Sequence, residues 1–548
     1  MVAPSASHHF YLIPMRQPAP PSTDPAWPRL LLAFGLILGA TLHASWSTLD
    51  RYFLGDDFAY IARFHQLALR DWPALFVQDW SGGMWGYPLP ELRPFAALTF
   101  LVDARLWGIN PLGWHLTNLA LDTGCACLVG LIVWRLHATV LWAGCAAGIL
   151  FAWHPAHAEP VAWITGRVDL LGTLAYLAAF LAGGCYLREG ASRRWLAAAW
   201  LAYGIGCFSK EFCLTLPVAL LLWSLAYRPP ARFRQMALLF GGFTAVAGVF
   251  LFCRRLAFGP GSGGVAALNL FSGVYAERQL DYLRWYLPPL YDFGRDYRPQ
   301  LAALAPALVV GSLLFSLAVL ALWRWREPAT NRWQAVAFYG LGWYAVATLP
   351  LSAASYFAPR HLYLATAGLG IAAGLLLATL AHRRWLALTL MAVTALFCVS
   401  RFHHAVAPWR HAAKVSERVT LAVGRLAPAL HPGEVLLLDV PDVYEGVWLW
   451  SWSAPFALQP PFMPRLTNTV LTRPAVYYAP PAWERQAGIA ALAEAPGAWF
   501  VEVDGKGAVT PRHVTGTQLA APARQLARHA TADRDAAWKE FVAALSVP

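Results

Sequence analysis

The chain is short of charge. Only 13% of its 548 residues are Asp, Glu, Lys or Arg, while 58% are hydrophobic; a soluble protein carries about twice that share of charge. That deficit excludes a fully water-bathed surface, and with it a disordered chain, a coiled coil or a purely cytosolic enzyme. Lysine is scarcer still, since Lys210 is the only one before Lys414. No basic stripe alternates with aromatics on a soluble element, so the net charge of +12 does not read as a nucleic-acid footprint and no nucleic-acid partner is expected. The eight cysteines all lie in or beside apolar runs and lack the paired spacing of a zinc site or a disulfide framework. The stretch beyond about residue 403 shows no 34-residue repeat. No cleavage pattern follows Arg16 and Arg29, so the apolar run from Leu30 to Trp46 is expected to persist as a first helix.

What the chain has is long apolar runs. A helix crosses a bilayer with about 20 mostly apolar residues. Eleven candidate spans follow, roughly at 30–48, 112–134, 138–153, 168–187, 195–208, 212–227, 235–253, 301–323, 333–353, 361–381 and 385–402. With the N-terminus inside, the cytoplasmic connections carry Arg135, then Arg188, Arg193 and Arg194, then Arg228, Arg232 and Arg234, then Arg324, Arg326 and Arg332, then Arg383 and Arg384. Arginine clusters on alternate loops are what the positive-inside rule predicts. The expected fold is a polytopic α-helical membrane protein of about 11 transmembrane helices. It divides into a cytoplasmic segment, 1–29, a transmembrane domain, 30–402, and a small extracytoplasmic α/β domain, 403–548. Within the transmembrane domain, 49–110 is a first outer loop with interfacial helices near Phe58 to Leu69 and Phe95 to Trp107. In the last region, strands are expected at Glu434 to Val440, Ala475 to Ala479 and Ala498 to Val503, with a helix near Asp533 to Leu545.

Ionisable side chains beside spans are costly, so their positions carry functional information. The non-cytoplasmic end collects an unusual set. Asp56 and Asp57 are adjacent; they repel unless one takes a raised pKa or both face a cation, or they serve as a helix cap. His154, His157 and Glu159, followed by Arg167 and Asp169, could ligate a divalent cation, position a hydroxyl or order a loop. The candidate metal ligands are Asp57, His157 and Glu159. Lys210, next to Glu211 in an outward turn, suits a phosphate as a point charge or a snorkelling role. Arg360, His361 and Tyr363 open the tenth span on the same side, where the topology rule disfavours positive charge.

These residues resemble a family. Gly55-Asp56-Asp57, Trp107-Gly108-Ile109-Asn110-Pro111, His154-Pro155-Ala156-His157-Ala158-Glu159-Pro160, Gly166-Arg167-Val168-Asp169, Ser209-Lys210-Glu211 and Arg360-His361-Leu362-Tyr363 occur in the order found in GT-C glycosyltransferases. Within that fold the likeness is to the transmembrane O-mannosyltransferases of the TMTC class and their bacterial relatives. The resemblance implies transfer of a sugar from a polyprenyl-phosphate donor to an acceptor hydroxyl of a glycan, lipid or protein on the extracytoplasmic face. It implies that Asp56 or Asp57, with Asp56 favoured, is the general base, that His157 and Glu159 sit beside the sugar, and that Lys210 and Arg360 hold the lipid phosphate. Two features depart from the pattern: the repeat domain of the class is missing, and Asp122 stands where relatives often have histidine. The arginine-heavy composition suggests a bacterial inner membrane, a periplasmic site and undecaprenyl phosphate as carrier. The rival expectations are a polysaccharide ligase or polymerase using arginines of the loop 254–300, and a lipid-linked saccharide flippase. A flippase would be expected to show repeated halves, and none is visible.

Overall fold

The computed structural model describes residues 27–86, 89–137, 139–189, 192–260, 279, 281–283, 285–286, 336–353, 357–450, 453–464, 466–472, 489, 491–529 and 534–545. The first helix, α1, is Trp27–Ser45, and the outer loop after it holds α2, Asp56–Gln66, and α3, Pro94–Leu106. The bundle continues with α4 (Pro111–Leu131), α5 (Leu141–Ala152), the one-turn α6 (Ala158–Ala162), α7 (Arg167–Arg188), α8 (Arg193–Cys207), α9 (Leu216–Tyr227) and α10 (Phe233–Phe258). After the next described segment, α11 (Trp343–Thr348), come α12 (Tyr363–Thr379) and α13 (Arg384–Leu426). Six helices among the described residues are long and apolar enough to cross a membrane, so the chain is a polytopic membrane protein. The expected span 301–323 lies outside the described residues, as does 333–335 of the next.

Local chemistry explains the starts of these helices. Asn110 caps α4 by accepting from the Leu112 N–H, and Pro111 occupies the first helical position, where its missing donor costs nothing. α5 has 12 residues and reaches only about 18 Å, too short to cross alone. It is instead wedged among α1, α4 and α12. A Cβ on Gly144 would lie 2.6 Å from the Gly130 carbonyl oxygen, and one on Gly374 would lie 2.8 Å from the Ala143 carbonyl oxygen. Bare backbone at these crossings lets the helices approach where no hydrophobic drive exists between them.

Two differences from the sequence reading concern the C-terminal part. The span expected to end at 402 continues unbroken through residue 426 as a 43-residue helix with Pro408 inside it. At 1.5 Å per residue α13 is about 64 Å long, roughly twice the hydrocarbon core. No chain break therefore marks the 402/403 boundary. The sheet beyond it is mixed: β4 (Val470–Thr472), β1 (Val435–Asp439) and β5 (Gly497–Val503) run parallel in that order, and β6 (Val509–Thr515) adds antiparallel to β5. The strand expected at 475–479 lies outside the described residues, and β6 was not anticipated. A separate hairpin joins β2 (Val443–Tyr444) to β3 (Val447–Trp448). Helices Gly516–His529 and Arg534–Leu545 (α15 and α16, after the short α14, Ala454–Ala457) close the chain.

The C-terminal region and the first outer loop share one core. Phe53, Phe58 and Phe462 stack edge to face, and Trp450 packs on Phe58. Ser416 Oγ of α13 donates to the Phe53 carbonyl and accepts from the Trp450 indole. α2 is accordingly buried on nearly all sides, with Phe58, Ala59, Tyr60, Ile61, Ala62 and Phe64 enclosed.

Candidate active site

Four short turns meet at one end of the bundle and line a cavity of about 960 Å³. They are the Gly55-Asp56 start of α2, the 155–159 turn before and into α6, Lys210 between α8 and α9, and the 357–360 turn before α12. Asp56, Glu159, Lys210 and Arg360 all contribute to its wall. Segments up to 300 residues apart in the chain are thus brought to one place because each is the connection at the same end of a neighbouring helix.

The cations are held by acids set behind them. Lys210 Nζ lies 3.4 Å from Asp169 Oδ1, and Arg360 Nε lies 3.9 Å from Asp169 Oδ2. Asp169 sits in the first turn of α7 and is buried. Arg360 also pairs with Glu159, and its guanidinium lies 4.9 Å from the centre of the Trp163 ring. Burial lowers the Lys210 pKa, Asp169 opposes that, and Arg93 and Arg360 add to the depression. An arriving anion would stabilise the charge that burial disfavours. Next to this pair, Arg93 lies 2.9 Å from Glu91 and 3.4 Å from Glu211, and Arg93 and Glu91 line the cavity as well. Burial alone would raise the Glu211 pKa, but Arg93, Lys210 and Arg254 bring it below the ordinary carboxylate range.

The adjacent aspartates have different surroundings. Asp56 lines the cavity. Asp57 is buried and pins two loops: Oδ2 accepts from the Leu54 N–H at 3.1 Å, and Oδ1 accepts from the Thr165 N–H at 2.9 Å and its hydroxyl at 2.8 Å. Burial raises its pKa to about 7 despite these donors. Gly55, with φ +49°, makes this turn possible; its N–H donates to the Leu449 carbonyl. A positive φ of this kind favours glycine, which has no Cβ to clash.

Several candidate residues lie away from the cavity. His157 is wholly buried, 2.8 Å from the Thr366 hydroxyl and 3.8 Å from Asp122, which also accepts from Tyr363. His154 caps its own turn and contacts the Tyr286 carbonyl; burial lowers its pKa to about 4, so it is neutral. Arg167 is buried in an ion pair with Asp103 and bonds to Asn118 and the Trp114 carbonyl. His361 meets the Tyr282 hydroxyl. His154, His157, Arg167, His361 and Tyr363 are not among the residues that line the cavity. The candidate metal ligands do not meet either: Asp57 binds Thr165, His157 binds Thr366 and Glu159 binds Arg360. No cluster of three or more His, Cys, Asp or Glu suited to a metal occurs among the described residues.

Other lining residues were not anticipated. Arg401, His404 and Trp409 come from α13, and Glu445 to Trp448 from the β2–β3 hairpin. Tyr60, Trp80 and Trp85 come from the first outer loop, with Tyr60 and Trp80 stacked 4.0 Å apart. Their density of aromatic rings was visible in the sequence; their convergence depends on long-range packing.

No family model matches the chain. It is similar to the protein O-mannosyl-transferase Tmtc2 of Drosophila melanogaster, 30% identical over 292 residues, which cover 46% of the chain and 30% of that protein. It is 37% identical to the Drosophila melanogaster protein O-mannosyl-transferase Tmtc1 over 124 residues, 23% of the chain and 13% of that protein. The chain thus spans less than a third of the length of these curated relatives. Among solved structures, ArnT from Cupriavidus metallidurans bound to undecaprenyl phosphate superimposes with a TM-score of 0.40 at 16% identity, covering 87% of this chain and 94% of that one.

Proposed function

We propose that the chain is a membrane glycosyltransferase of the GT-C kind, which moves a sugar from a polyprenyl-phosphate donor to an acceptor hydroxyl on the extracytoplasmic side. The observation that carries this reading is a single cavity with a carboxylate, Asp56, and a cationic pair, Lys210 and Arg360, in its wall. Displacement at an anomeric carbon needs both. Asp56 takes the acceptor hydroxyl proton as that oxygen bonds to the anomeric carbon, while the bond from carbon to phosphate oxygen breaks. The departing polyprenyl phosphate leaves as an anion already stable in water, so Lys210 and Arg360 need only hold it. One displacement of this kind inverts the anomeric centre.

Asp57 and Asp169 act by position, the first fixing the turn that carries Asp56 and the second holding Lys210 and Arg360 side by side. The similarity to proteins named O-mannosyl-transferases makes mannose the first sugar to test. The arginine clusters at the bundle end opposite the cavity favour an extracytoplasmic site, and arginine usage favours a bacterial inner membrane with undecaprenyl phosphate as carrier. The test is a product assay. Purified protein in sealed proteoliposomes, given undecaprenyl-phosphate mannose labelled in the sugar, is expected to form a new glycosidic bond to an added acceptor; translocation of label without bond formation would instead establish a flippase.

A further inference from the structure

The C-terminal region contributes a wall of the cavity whose tip is built against its own turn preference. Glu445 and Gly446 join β2 to β3, with φ of 50° and 81°. Two central residues of positive φ define the type I′ hairpin turn, where Asn, Asp or Gly is the usual first residue. A glutamate held there is strained, and such strain persists where the surroundings over-determine it, often at functional sites. Here the surroundings are the cavity: Glu445, Gly446, Val447 and Trp448 line it together with Asp56. His411 Nδ1 of α13 lies 2.8 Å from Glu445 Oε2 and engages one oxygen of the carboxylate. The base of the hairpin is tied to the turn that bears Asp56 through the Gly55 N–H and the Leu449 carbonyl.

We infer that Glu445 selects the acceptor, its carboxylate receiving hydroxyl hydrogens of a carbohydrate whose ring lies against Trp448. This rests on the glycosyltransferase reading and names the substrate class of the same site. A pyranose offers adjacent hydroxyls, which a carboxylate with two acceptor oxygens can receive together. Its C–H face suits the negative face of an indole, and Trp409 adds a second ring to the same wall. A Ser or Thr peptide offers one hydroxyl at a time and would leave most of that wall unread.

The test uses full-length protein in nanodiscs with undecaprenyl-phosphate mannose as donor and octyl α-mannoside, octyl β-glucoside or a Ser/Thr-rich peptide as acceptor. Glu445→Asn installs the residue the turn prefers, so the hairpin keeps its shape and the melting temperature stays or rises. The expected result is a loss of at least about tenfold in kcat/KM for a glycoside, with slow hydrolysis of the donor by water unchanged within about twofold. Tryptophan fluorescence titration with the same glycosides, without donor, is expected to show about tenfold weaker binding in Glu445→Asn. Unchanged transfer and unchanged glycoside binding would reduce Glu445 to a turn residue, and equal loss of transfer and hydrolysis would make its role structural; either overturns the inference. Transfer to the peptide alone overturns the carbohydrate assignment while sparing the glycosyltransferase reading. Failure of the wild type to cleave the donor, with glycoside binding intact and sensitive to Glu445, would keep the subsite and sink the transfer reaction.

Discussion

Asp56 and Asp57 are neighbours in sequence with different surroundings, one lining the cavity and the other buried between two loops. The pair was legible in the sequence; which member faces the cavity was not, because two residues on one helical turn point about 100° apart and only the packing of Thr165 and Leu54 decides between them. Asp57 gives a pH signature. Its pKa is raised to about 7 by burial, so the native state holds its proton more tightly than the unfolded chain does. The stability this supplies is complete below about pH 4 and is lost as pH rises through about 7. The melting temperature is therefore expected to fall from pH 5 to pH 8 and to fall less in Asp57→Asn, as differential scanning fluorimetry would read. An equal slope in the two proteins would mean that Asp57 is not the titrating group.

At the scale of elements, helices with long uninterrupted apolar runs, such as α1, α4 and α7, were readable to within a few residues. The extent of α13 was not. Hydropathy finds where a bilayer ends; it says nothing of where a helix ends, and α13 stays helical past Pro408, which lacks the N–H for one bond, and on into polar sequence. The short α5 was legible as apolar but not as incomplete. Its fit depends on glycine at the α4 crossing, where a Cβ on Gly144 meets the Gly130 carbonyl oxygen at 2.6 Å and one on Gly130 meets the Gly144 carbonyl oxygen at 2.8 Å. These neighbours are backbone and cannot rotate aside. Gly144→Val is expected to cost on the order of 1–3 kcal/mol through overpacking and to lower the melting temperature in detergent, whereas Gly35→Ala, which meets nothing within 4 Å, is not.

Over the whole molecule, the cavity is assembled from both halves of the chain. Its acid and cations were legible as isolated polar residues beside apolar runs, at Asp56, Glu159, Lys210 and Arg360. Its aromatic and hairpin wall was not, since Trp409, Glu445 and Trp448 look like ordinary soluble-domain residues until α13 carries the sheet back over the first outer loop. The C-terminal region thus lines the cavity together with the bundle. The measurement that bears most directly on the account separates binding from turnover in nanodiscs, using decaprenyl phosphate for affinity and undecaprenyl-phosphate mannose for transfer. Asp56→Asn is expected to bind the lipid phosphate within about twofold of wild type and lose transfer by about 10² to 10⁴, while Lys210→Ala with Arg360→Ala loses lipid binding by tenfold or more. Near-wild-type transfer by Asp56→Asn, or undiminished lipid binding by the double variant, would contradict the division of this cavity into a base and a phosphate clamp.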